Sequence, residues 1–378
     1  MQLNAPPGIR IALVHHWLVA QRGGEQVLEA MGELFPTADL FTLVHDPSQI
    51  PLSLRSRRLV SSFLQKFPRP SRWYRYYLPL FPMATEHLDL GQYDLVISSD
   101  AATVKGVRVG PHATHICYCH SPMRYIWSGH ETYARSMGTL PGLALRAVRT
   151  PLRRWDYQAA QRVTDFVANS LNVQRRIQKA YDRDSVVIYP PVDTGRFVPP
   201  ARWKTRQDFF LFVSQLVPYK GTRLLVETFN KCGKPLVVIG DGPEFAKLQR
   251  RAKSNIEFVG SQPQTVVIEA MQRCRGFVFA GEEDFGIVMA EAQACGAPVI
   301  ALARGGATEI VQEGRTGILF EEPTIDSLMD GLQRFERERF DSSAIRAATL
   351  RFERQRFLSE FSEFVSTKLA AELRTAVV

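Results

Sequence analysis

The sequence is poor in cysteine, and it lacks both a long uncharged apolar run and the basic, apolar and small-residue order of a secretory signal. Its five cysteines include the close pair Cys117 and Cys119, but they form neither a zinc-ligand spacing nor a disulfide framework. The longest weakly charged stretch, Gly286–Ala303, contains Glu291 and Pro298 and is unsuited to crossing a membrane. We therefore expect a cytoplasmic protein with buried, reduced thiols.

Two patterns that would indicate a cofactor are also missing. Gly23 and Gly24 do not belong to a G-x-G-x-x-G fingerprint, which argues against a dinucleotide cofactor. No clear metal-ligand spacing stands beside the residues that we assign below to nucleotide binding. We expect neither a bound cofactor nor a metal site.

What is present is the composition of a globular protein. Apolar residues make up 45% and charged residues 22% of the 378 positions, which excludes intrinsic disorder. At roughly 150 residues per domain, this length predicts two domains, each able to bury its own core.

The net charge of +9 is unevenly distributed along the chain. Residues 1–200 carry a balance of +8, and residues 201–378 carry a balance of +1. The stretch Pro51–Thr85 contains no acidic residue, and its basic residues alternate with aromatic ones. The basic residues are Arg55, Arg57, Arg58, Lys66, Arg69, Arg72 and Arg75, and the aromatic residues are Phe63, Phe67, Trp73, Tyr74, Tyr76, Tyr77 and Phe81.

This basic, aromatic stretch suits an anionic membrane surface, where each Lys or Arg contributes ~1 kcal/mol and aromatic rings settle among the headgroups. The same mixture could stack on single-stranded nucleic acid, or the rings could point inward and leave a solvated basic face. We favour the membrane surface and expect no nucleic-acid partner. The protein would then be peripheral on the inner face of the cytoplasmic membrane.

Strand and helix patterns alternate along both halves of the chain. In the first half, the apolar run Ile9–His15 is followed by Gly23-Gly24 and a helical pattern from Glu25 to Leu34. Alternation of this kind predicts a mostly parallel sheet with helices on both faces. The proline pairs at 190–191 and 199–200 mark the boundary between the two halves.

The fold class that we predict is α/β, with two doubly wound, Rossmann-like domains facing a cleft. The domains would be residues 1–190 and 191–355, followed by a C-terminal helix over 356–378 that packs back on the first domain. We expect the whole stretch 325–371 to be helical. Ligands of open α/β sheets bind outside the carboxyl ends of the strands, so site residues are expected there.

The most informative constellation lies in residues 283–299. Gly286 permits a turn from a strand end into a helix, whose first backbone N–H groups attract phosphate. Glu283 precedes that helix, and Glu291 lies more than one turn inside it. Ionised carboxylates accept hydrogen bonds from paired hydroxyls. The layout therefore fits a nucleoside diphosphate sugar, which has hydroxyl groups at both ends and two phosphates between them.

Other candidates follow predicted strands as well. Gly23 and Gly24 let the backbone approach a diphosphate closely, Lys220 offers a point charge for phosphate, and His120 can donate to a substrate oxygen. Asp100 also lies past a strand end and is a candidate on the acceptor side. Taken singly, each of these residues is more typical of a structural role.

Together these residues resemble the family-four retaining glycosyltransferases with the GT-B fold, over nearly the whole chain. The most specific match is Glu283 with Glu291, extended through Gly305-Gly306 and Glu309. The stretch Cys117–Trp127 is similar to mannosyltransferase-like members of bacterial polysaccharide biosynthesis. The other matching motifs are Gly23-Gly24-Glu25, His120-Ser121-Pro122, Asn169-Ser170, Pro191-Val192-Asp193, Val217–Gly221 and Gly240-Asp241-Gly242-Pro243.

The resemblance implies a role for each site residue. As the catalytic set, Glu283 would hold hydroxyls of the donor sugar, Lys220 would neutralise the diphosphate leaving group, and His120 would bind the sugar near the anomeric centre. The other donor-binding positions would be Gly23 and Gly24 at the diphosphate, Phe285, Gly286 and Ile287 at the distal phosphate and sugar, Glu291 at the ribose, and Gly242 at the base.

One position departs from the pattern of the family. Gln215 stands where the family usually has an arginine that helps to hold the diphosphate. Glutamine can donate a hydrogen bond to phosphate but carries no charge, so stabilisation of the leaving group would be weaker.

We predict a retaining, metal-independent hexosyltransferase that builds bacterial surface polysaccharide. GDP-mannose is the first candidate donor, a UDP-sugar is the second, and a lipid-linked glycan is the acceptor. Residues 1–190 would lie on the acceptor side, and residues 191–355 would bind the nucleotide sugar. Two alternatives stay open: a nucleotide-sugar epimerase of the same architecture, and a non-catalytic sugar-nucleotide-binding subunit of a polysaccharide assembly complex.

Overall fold

A computed structural model describes residues 8–130, 139–200 and 206–375 of the chain. The chain divides into two compact units. Unit 1 comprises Met1–Pro191 together with Gln355–Val378, and unit 2 comprises Val192–Arg354. These limits lie next to the domain boundaries that we expected at 190 and 355, and the last three residues of the expected C-terminal helix fall outside the described residues.

Unit 1 is built on a seven-stranded sheet in which every pairing is parallel. Its strand order is β3-β2-β1-β4-β5-β6-β7. The order reverses direction between β1 and β4, and a doubly wound sheet opens a crevice at such a point, beyond the carboxyl ends of the strands. The strands are β1 (Ile11–Leu18), β2 (Asp39–His45), β3 (Leu59–Ser61), β4 (Leu95–Asp100), β5 (Thr114–Cys119), β6 (Asp165–Ala168) and β7 (Val186–Val187).

α-Helices form most of the crossover connections between these parallel strands. They are α1 (Gly23–Leu34), α2 (Pro70–Trp73), α3 (Phe81–Glu86), α4 (Thr139–Gln161) and α5 (Leu171–Tyr181). The sequence between β2 and β4 also forms several short 3₁₀ turns, which the periodicity did not predict. Ser170 begins α5, because its hydroxyl accepts a hydrogen bond from the Val173 backbone N–H at 3.1 Å.

Unit 2 has a six-stranded parallel sheet of order β10-β9-β8-β11-β12-β13. This is the Rossmann order 3-2-1-4-5-6, so its reversal lies between β8 and β11. The strands are β8 (Phe210–Val213), β9 (Leu236–Ile239), β10 (Ile256–Gly260), β11 (Gly276–Phe279), β12 (Val299–Leu302) and β13 (Gly317–Phe320). The helices are α6 (Thr222–Cys232), α7 (Phe245–Gln249), α8 (Gln264–Arg273), α9 (Ile287–Ala294), α10 (Ala307–Ile310), α11 (Ile325–Arg337) and α12 (Ser342–Thr349).

The C-terminal stretch that we expected to be helical forms three α-helices. After α11 and α12, the chain forms α13 (Arg354–Thr375). Asp341 starts α12 afresh because its carboxylate accepts a hydrogen bond from the Ser343 backbone N–H at 2.8 Å.

The last helix belongs to the core of unit 1. Phe357, Phe361 and Val365 are spaced by four residues, lie on one helical face and are fully buried against the sheet. Phe357 and Phe361 also contact the ring of Tyr118 on β5. The end of the chain thereby completes the first unit rather than the second.

Candidate functional site

In unit 2, the loops that follow β8 and β11 meet at the point where the strand order reverses. Gly221, with a φ of +72°, lies so close to the other loop that a Cβ atom there would stand 2.3 Å from the carbonyl oxygen of Ala280. Only glycine permits this backbone conformation together with this contact. The approach brings the loop containing Gln215 and Lys220 to the loop containing Glu283.

Lys220 and Glu283 form an ion pair between these two loops. Their side chains are 18% and 14% exposed, so both stay accessible to a ligand at the sheet edge. A lysine can neutralise a phosphate as a point charge, and a carboxylate can accept hydrogen bonds from hydroxyls. The structure thus brings together two of the three predicted catalytic residues.

The N-terminus of α9 lies directly after Glu283. Gly286 precedes the helix with a φ of +94°, and Ile287 is its first residue. The ring of Phe285 is buried against Phe352, with ring centroids 5.2 Å apart, which fixes the entry of the chain. The first N–H groups of a helix lack intrahelical partners and attract anions.

Two further residues that we predicted to bind the donor are less accessible to solvent or are packed against a neighbouring loop. Glu291 lies inside α9 and is 8% exposed. Gly242 follows β9 and packs on the loop after β8, where the Leu216 N–H donates to the Asp241 carbonyl at 2.9 Å. Gln215 is half-buried in this same loop.

In unit 1, a second cluster lies at the carboxyl ends of β1, β4 and β5. His120 follows β5, and its backbone N–H donates to the Asp100 carbonyl at 2.7 Å. Its ring Nε2 lies 2.8 Å from the hydroxyl oxygen of Ser99. Gly23 and Gly24 form the first turn of α1, and a Cβ atom on Gly24 would lie 3.7 Å from the same ring nitrogen. The structure therefore brings Gly24 to His120, with Gly23 adjacent to it in the same helical turn.

The histidines of this cluster are held neutral. Burial lowers the pKa of His15, of His16 and of His120 to about 3. The adjacent imidazoles of His16 and His15 lower the pKa of His120 further, whereas the carboxylates of Asp100 and Glu25 raise it. At neutral pH, His120 is therefore a hydrogen-bonding imidazole and not a cation.

Asp100 does not face an acceptor. Its side chain is fully buried, and its carboxylate accepts hydrogen bonds from the backbone N–H groups of Ala102 and Val104 at 2.9 and 3.0 Å. The Lys105 ammonium lies 3.1 Å from the same carboxylate. Asp100 is the last residue of β4 and does not lie past the strand end as we expected, and the acceptor-side role that we expected has no accessible atom to carry it.

Lys105 is itself fully buried and holds two carboxylates together. Besides Asp100, its ammonium contacts Asp156, whose other oxygen accepts hydrogen bonds from Trp127 and Tyr181 at 2.7 and 2.8 Å. Burial opposes the charge of Lys105, but the two carboxylates raise its pKa. Burial by itself would raise the pKa of Asp100. The ammonium of Lys105 outweighs this effect and keeps the pKa of Asp100 below its usual range.

Lys105→Met is expected to lower the free energy of unfolding by about 3–5 kcal/mol, because it leaves two carboxylates buried without their cation. Urea titration followed by circular dichroism measures the change. Arg108→Met is the matched control, since Arg108 forms an exposed ion pair with Glu86 on the same segment and is expected to cost at most ~1 kcal/mol. A loss below that of the control would contradict a stabilising role for the buried pair.

The basic stretch of unit 1 is only partly available to a surface. Arg57 is half-buried and donates to the backbone carbonyls of Gly32, Phe35 and Ala38 at 2.6, 2.7 and 3.1 Å. Arg57 thereby caps the C-terminus of α1. Its guanidinium is not available to a membrane surface, so the expected membrane contact at Arg57 is wrong. Arg58 pairs with Asp39 at 3.3 Å, and Arg55 donates to the Ile50 carbonyl at 3.0 Å.

Six basic residues of the stretch are exposed, together with two of its aromatic rings. The rings are Trp73, 38% exposed, and Tyr76, 70% exposed. The other five aromatic side chains are buried or half-buried in the core of unit 1, as the inward alternative predicted. The exposed basic residues are Arg55 and Arg58, which make the contacts given above, and Lys66, Arg69, Arg72 and Arg75.

Within the described ranges, no three or more His, Cys, Asp and Glu side chains form a group that could hold a metal ion. No helix in the part of the chain that the structure describes is long and apolar enough to cross a membrane.

Comparison with known families covers most of the chain in two matches. A family model described as Glycosyltransferase Family 4 matches residues 23–196. A second, described as Glycosyl transferases group 1, matches residues 195–350. The chain belongs to the family-four-like glycosyltransferases.

Several relatives of this glycosyltransferase carry mannosyltransferase names. A GDP-mannose-dependent alpha-(1-6)-phosphatidylinositol monomannoside mannosyltransferase of Mycolicibacterium smegmatis is 32% identical over 216 residues, which are 49% of this chain and 55% of that protein. O-antigen chain mannosyltransferase C of Escherichia coli is 31% identical over 124 residues, 30% of this chain and 33% of that protein. The matched regions thus span between about a third and about half of the relatives' length.

Solved glycosyltransferases share the fold over nearly their whole length. The apo form of the lipopolysaccharide outer core galactosyltransferase WaaB superimposes with a TM-score of 0.66 and 18% identity, covering 95% of this chain and 100% of the other. Anabaena Alr3699/HepE in complex with UDP and glucose gives a TM-score of 0.69 at 17% identity, covering 95% and 99%. The glycosyltransferase described here therefore has the predicted fold, GT-B, with two Rossmann-like units.

Our sequence reasoning missed three residues of the unit 1 cluster in this glycosyltransferase. It assigned no site role to His15 or Ser99, and it included Glu25 only as the third residue of the Gly23-Gly24-Glu25 motif. The structure places all three in the chain of contacts that ends at His120. The polar residues His15 and Ser99 at the ends of two adjacent apolar strands were the available signal.

Proposed function

We propose that this glycosyltransferase is a retaining hexosyltransferase that moves a sugar from a nucleotide-sugar donor to a lipid-linked glycan. The observation that carries the proposal is the meeting of Lys220 and Glu283 at the strand-order reversal of unit 2, directly before the N-terminus of α9. A cation, a carboxylate and free helix N–H groups side by side suit a sugar joined to a diphosphate.

Each residue of the donor site would bind a different chemical part of the nucleotide sugar. Glu283 would accept hydrogen bonds from sugar hydroxyls, and Lys220 would exchange its present partner for the diphosphate. The backbone at Phe285, Gly286 and Ile287 would meet the distal phosphate and sugar. Buried Glu291 would serve the ribose, and Gln215 would donate a neutral hydrogen bond to phosphate.

Mannose from GDP-mannose is the first donor that we propose, and a UDP-sugar is the second. Mannosyltransferase relatives support the first, and a structural neighbour that holds UDP and glucose supports the second. Bacterial surface polysaccharide biosynthesis is the proposed setting, because relatives of that kind match the chain.

The reaction that we propose needs no metal ion and no enzyme base. Lys220 and the start of α9 would stabilise the departing diphosphate electrostatically. The leaving phosphate would accept the proton of the attacking hydroxyl on the same face of the sugar, so the anomeric configuration is retained. His120 would orient the sugar near the anomeric carbon as a neutral imidazole.

A thermal-shift panel of GDP, UDP, ADP and CDP, each with magnesium and with EDTA, tests the donor site. Ligand at 100 times its Kd stabilises a fold by ~2.7 kcal/mol, which gives a readable shift. We expect one nucleotide to act equally in magnesium and in EDTA. Stabilisation by none of the four would contradict a nucleotide-sugar site.

The two competing functions predict different fates for the nucleotide sugar. An epimerase would convert the sugar of the donor without any acceptor, which sugar analysis of the reaction detects. A non-catalytic binding subunit, which the uncharged Gln215 favours, would bind the nucleotide but leave the donor intact. The hexosyltransferase instead releases the nucleoside diphosphate and requires Glu283 to do so.

We also propose that the exposed basic face of unit 1 holds the enzyme on the inner face of the cytoplasmic membrane. Lys66, Arg69, Arg72 and Arg75 are exposed in the same stretch as the exposed rings of Trp73 and Tyr76, and Arg69 lies over the Trp73 ring. Such rings suit the headgroup region. A lipid-linked acceptor would then be presented at the surface where the enzyme lies.

A triple variant in which alanine replaces Arg69, Arg72 and Arg75 is expected to bind anionic vesicles at least tenfold more weakly. The reason is that each arginine contributes ~1 kcal/mol at such a surface. Flotation with phosphatidylglycerol vesicles measures binding, and phosphatidylcholine vesicles give the uncharged comparison. The matched control replaces Arg250, Arg251 and Lys253, three exposed residues of unit 2, by alanine. Equal recovery of both variants would reject this surface.

A further inference from the structure

One hydroxyl group lies between two imidazole rings in unit 1. The Ser99 oxygen is 3.0 Å from the Nδ1 of His15 and 2.8 Å from the Nε2 of His120. The parallel pairing of β1 and β4 sets His15 directly beside Ser99 in register, and His120 reaches the same hydroxyl from the end of β5. His15 and Ser99 are fully buried, whereas His120 is half-buried and its contact with Ser99 is partly buried.

The hydroxyl has only one proton to give. Ser99 can donate to one ring nitrogen and must accept a ring N–H from the other. A neutral imidazole carries its proton on one nitrogen only. The tautomers of His15 and His120 are therefore coupled through Ser99, and either both rings carry the proton on Nε2 or both carry it on Nδ1.

Glu25 selects between the two arrangements. Its Oε1 lies 3.8 Å from the Nε2 of His15, and its Oε2 accepts the Arg22 backbone N–H at 2.9 Å. A carboxylate at this place favours a proton on the facing nitrogen of His15. The Nδ1 of His15 then accepts from Ser99, and Ser99 in turn accepts from the Nε2–H of His120.

We infer that Ser99 is a positioning residue that fixes the ring orientation and the tautomer of His120, leaving its Nδ1 free of a proton to accept a hydrogen bond from a sugar hydroxyl. The inference rests on the proposed function, in which His120 meets the donor sugar. Within the described part of the chain, no hydrogen bond engages this Nδ1, whereas Nε2 has Ser99 as its partner.

The surroundings keep the coupled rings neutral. Four ionisable groups face His120: His15, His16, Glu25 and Asp100. The two carboxylates raise the pKa of His120, but burial and the neighbouring imidazoles lower it more strongly. The Nδ1 of His16 lies 3.2 Å from the carbonyl oxygen of Ser99, which packs a third ring against the pair.

Ser99→Ala tests the positioning role, and Ser98→Ala is its matched control. Ser98 is the adjacent buried serine, and its hydroxyl lies 2.9 Å from the Nε2 of a different histidine, His115. Long-range proton–nitrogen NMR spectra of histidine-labelled full-length protein at pH 7.5 report which ring nitrogen carries the proton. The His120 signals are identified by their loss in His120→Gln.

We expect the unmodified protein and Ser98→Ala to show His120 protonated on Nε2, and Ser99→Ala to lose this preference. In the same samples, kcat for release of nucleoside diphosphate from the nucleotide sugar should fall about 10- to 100-fold in Ser99→Ala, as for a misplaced catalytic group. KM should change less than threefold, and Ser98→Ala should stay within twofold of the unmodified enzyme.

Glu25→Gln tests the selecting charge without removing the hydrogen bond to Arg22, because a glutamine oxygen can accept the same backbone N–H. The expected result is a mixture of both tautomers at His120. If His120 stays in the Nε2 tautomer in Glu25→Gln, Glu25 does not select the tautomer. If His120 stays in the Nε2 tautomer in Ser99→Ala, Ser99 does not have the positioning role.

The NMR reading separates this inference from the proposed function. If the unmodified protein cleaves no nucleotide sugar but the tautomer changes as expected, the transferase proposal fails and the coupling through Ser99 stands. If turnover is normal and Ser99→Ala leaves both tautomer and kcat unchanged, the transferase proposal stands and this inference fails.

Discussion

Lys220→Ala is expected to reduce turnover of the nucleotide sugar by about 10²–10³-fold, mainly through kcat. Removal of one preorganised group that stabilises developing charge has an effect of this size. Lys220 is already held at the strand-order reversal by Glu283, so little reorganisation is needed when the diphosphate departs. Because Gln215 brings no charge to the same loop, more of the leaving-group stabilisation should fall on Lys220.

The measurement is the initial rate of nucleoside diphosphate release at saturating donor. Lys231→Ala is the matched control, since Lys231 is an exposed lysine on α6 that pairs with Asp326 at 2.9 Å, away from the two loops. The control should retain its rate within twofold. A Lys220→Ala enzyme as fast as the control would show that the leaving group is stabilised elsewhere.

A fall in pH from 7.5 to 5.5 is expected to lower the free energy of unfolding of unit 1 by roughly 3–5 kcal/mol. Four histidines of unit 1 with lowered pKa values produce the effect. Burial lowers the pKa of His15, His16 and His120 to about 3 and that of His115 to about 4. In the unfolded chain the same groups titrate near 6.5.

The sign follows from which state binds more protons. Between pH 6.5 and about 4, the unfolded chain takes up protons on these histidines and the folded chain does not, so acid favours unfolding. Each histidine contributes up to ~1.4 kcal/mol per pH unit in this window. The pKa values of Glu25 and Asp156, which burial raises, act in the opposite sense and offset part of the loss.

Chemical denaturation at several pH values measures this dependence. His115→Gln should reduce the slope by about a quarter, because it removes one of the four groups. His112→Gln, at an exposed histidine of the same unit, is the matched control. Stability that is flat from pH 7.5 to 5.5 would mean that the rings are not buried as neutral groups.

The architecture followed from the sequence because it depends on local patterns. Apolar runs such as Ile11–Leu18 form strands that are buried on both faces, and the helical periods between them require parallel crossovers. Gly286 marked the start of α9 because a left-handed turn there favours glycine. The carboxyl ends of parallel strands share one edge of a sheet, which is why Lys220, Glu283 and His120 could be selected as candidates.

The partners of these residues depended on packing that no local pattern records. Lys220 and Glu283 lie on loops whose contact is set by Gly221 against Ala280, and the cation was expected to meet phosphate rather than a carboxylate. Arg57 was assigned to a membrane surface by its basic neighbours, but the carbonyl groups left open at the end of α1 recruit it instead.

The sequence by itself determined two α/β units, their boundary and the sheet edges at which chemistry can occur. The tertiary structure alone decided which polar groups are accessible there. Asp100 and Ser99 are neighbours on β4, yet the side chain of one is enclosed with Lys105 and that of the other lies between two imidazoles. Successive side chains of a strand point to opposite faces, and only the packing on each face fixes what each side chain meets.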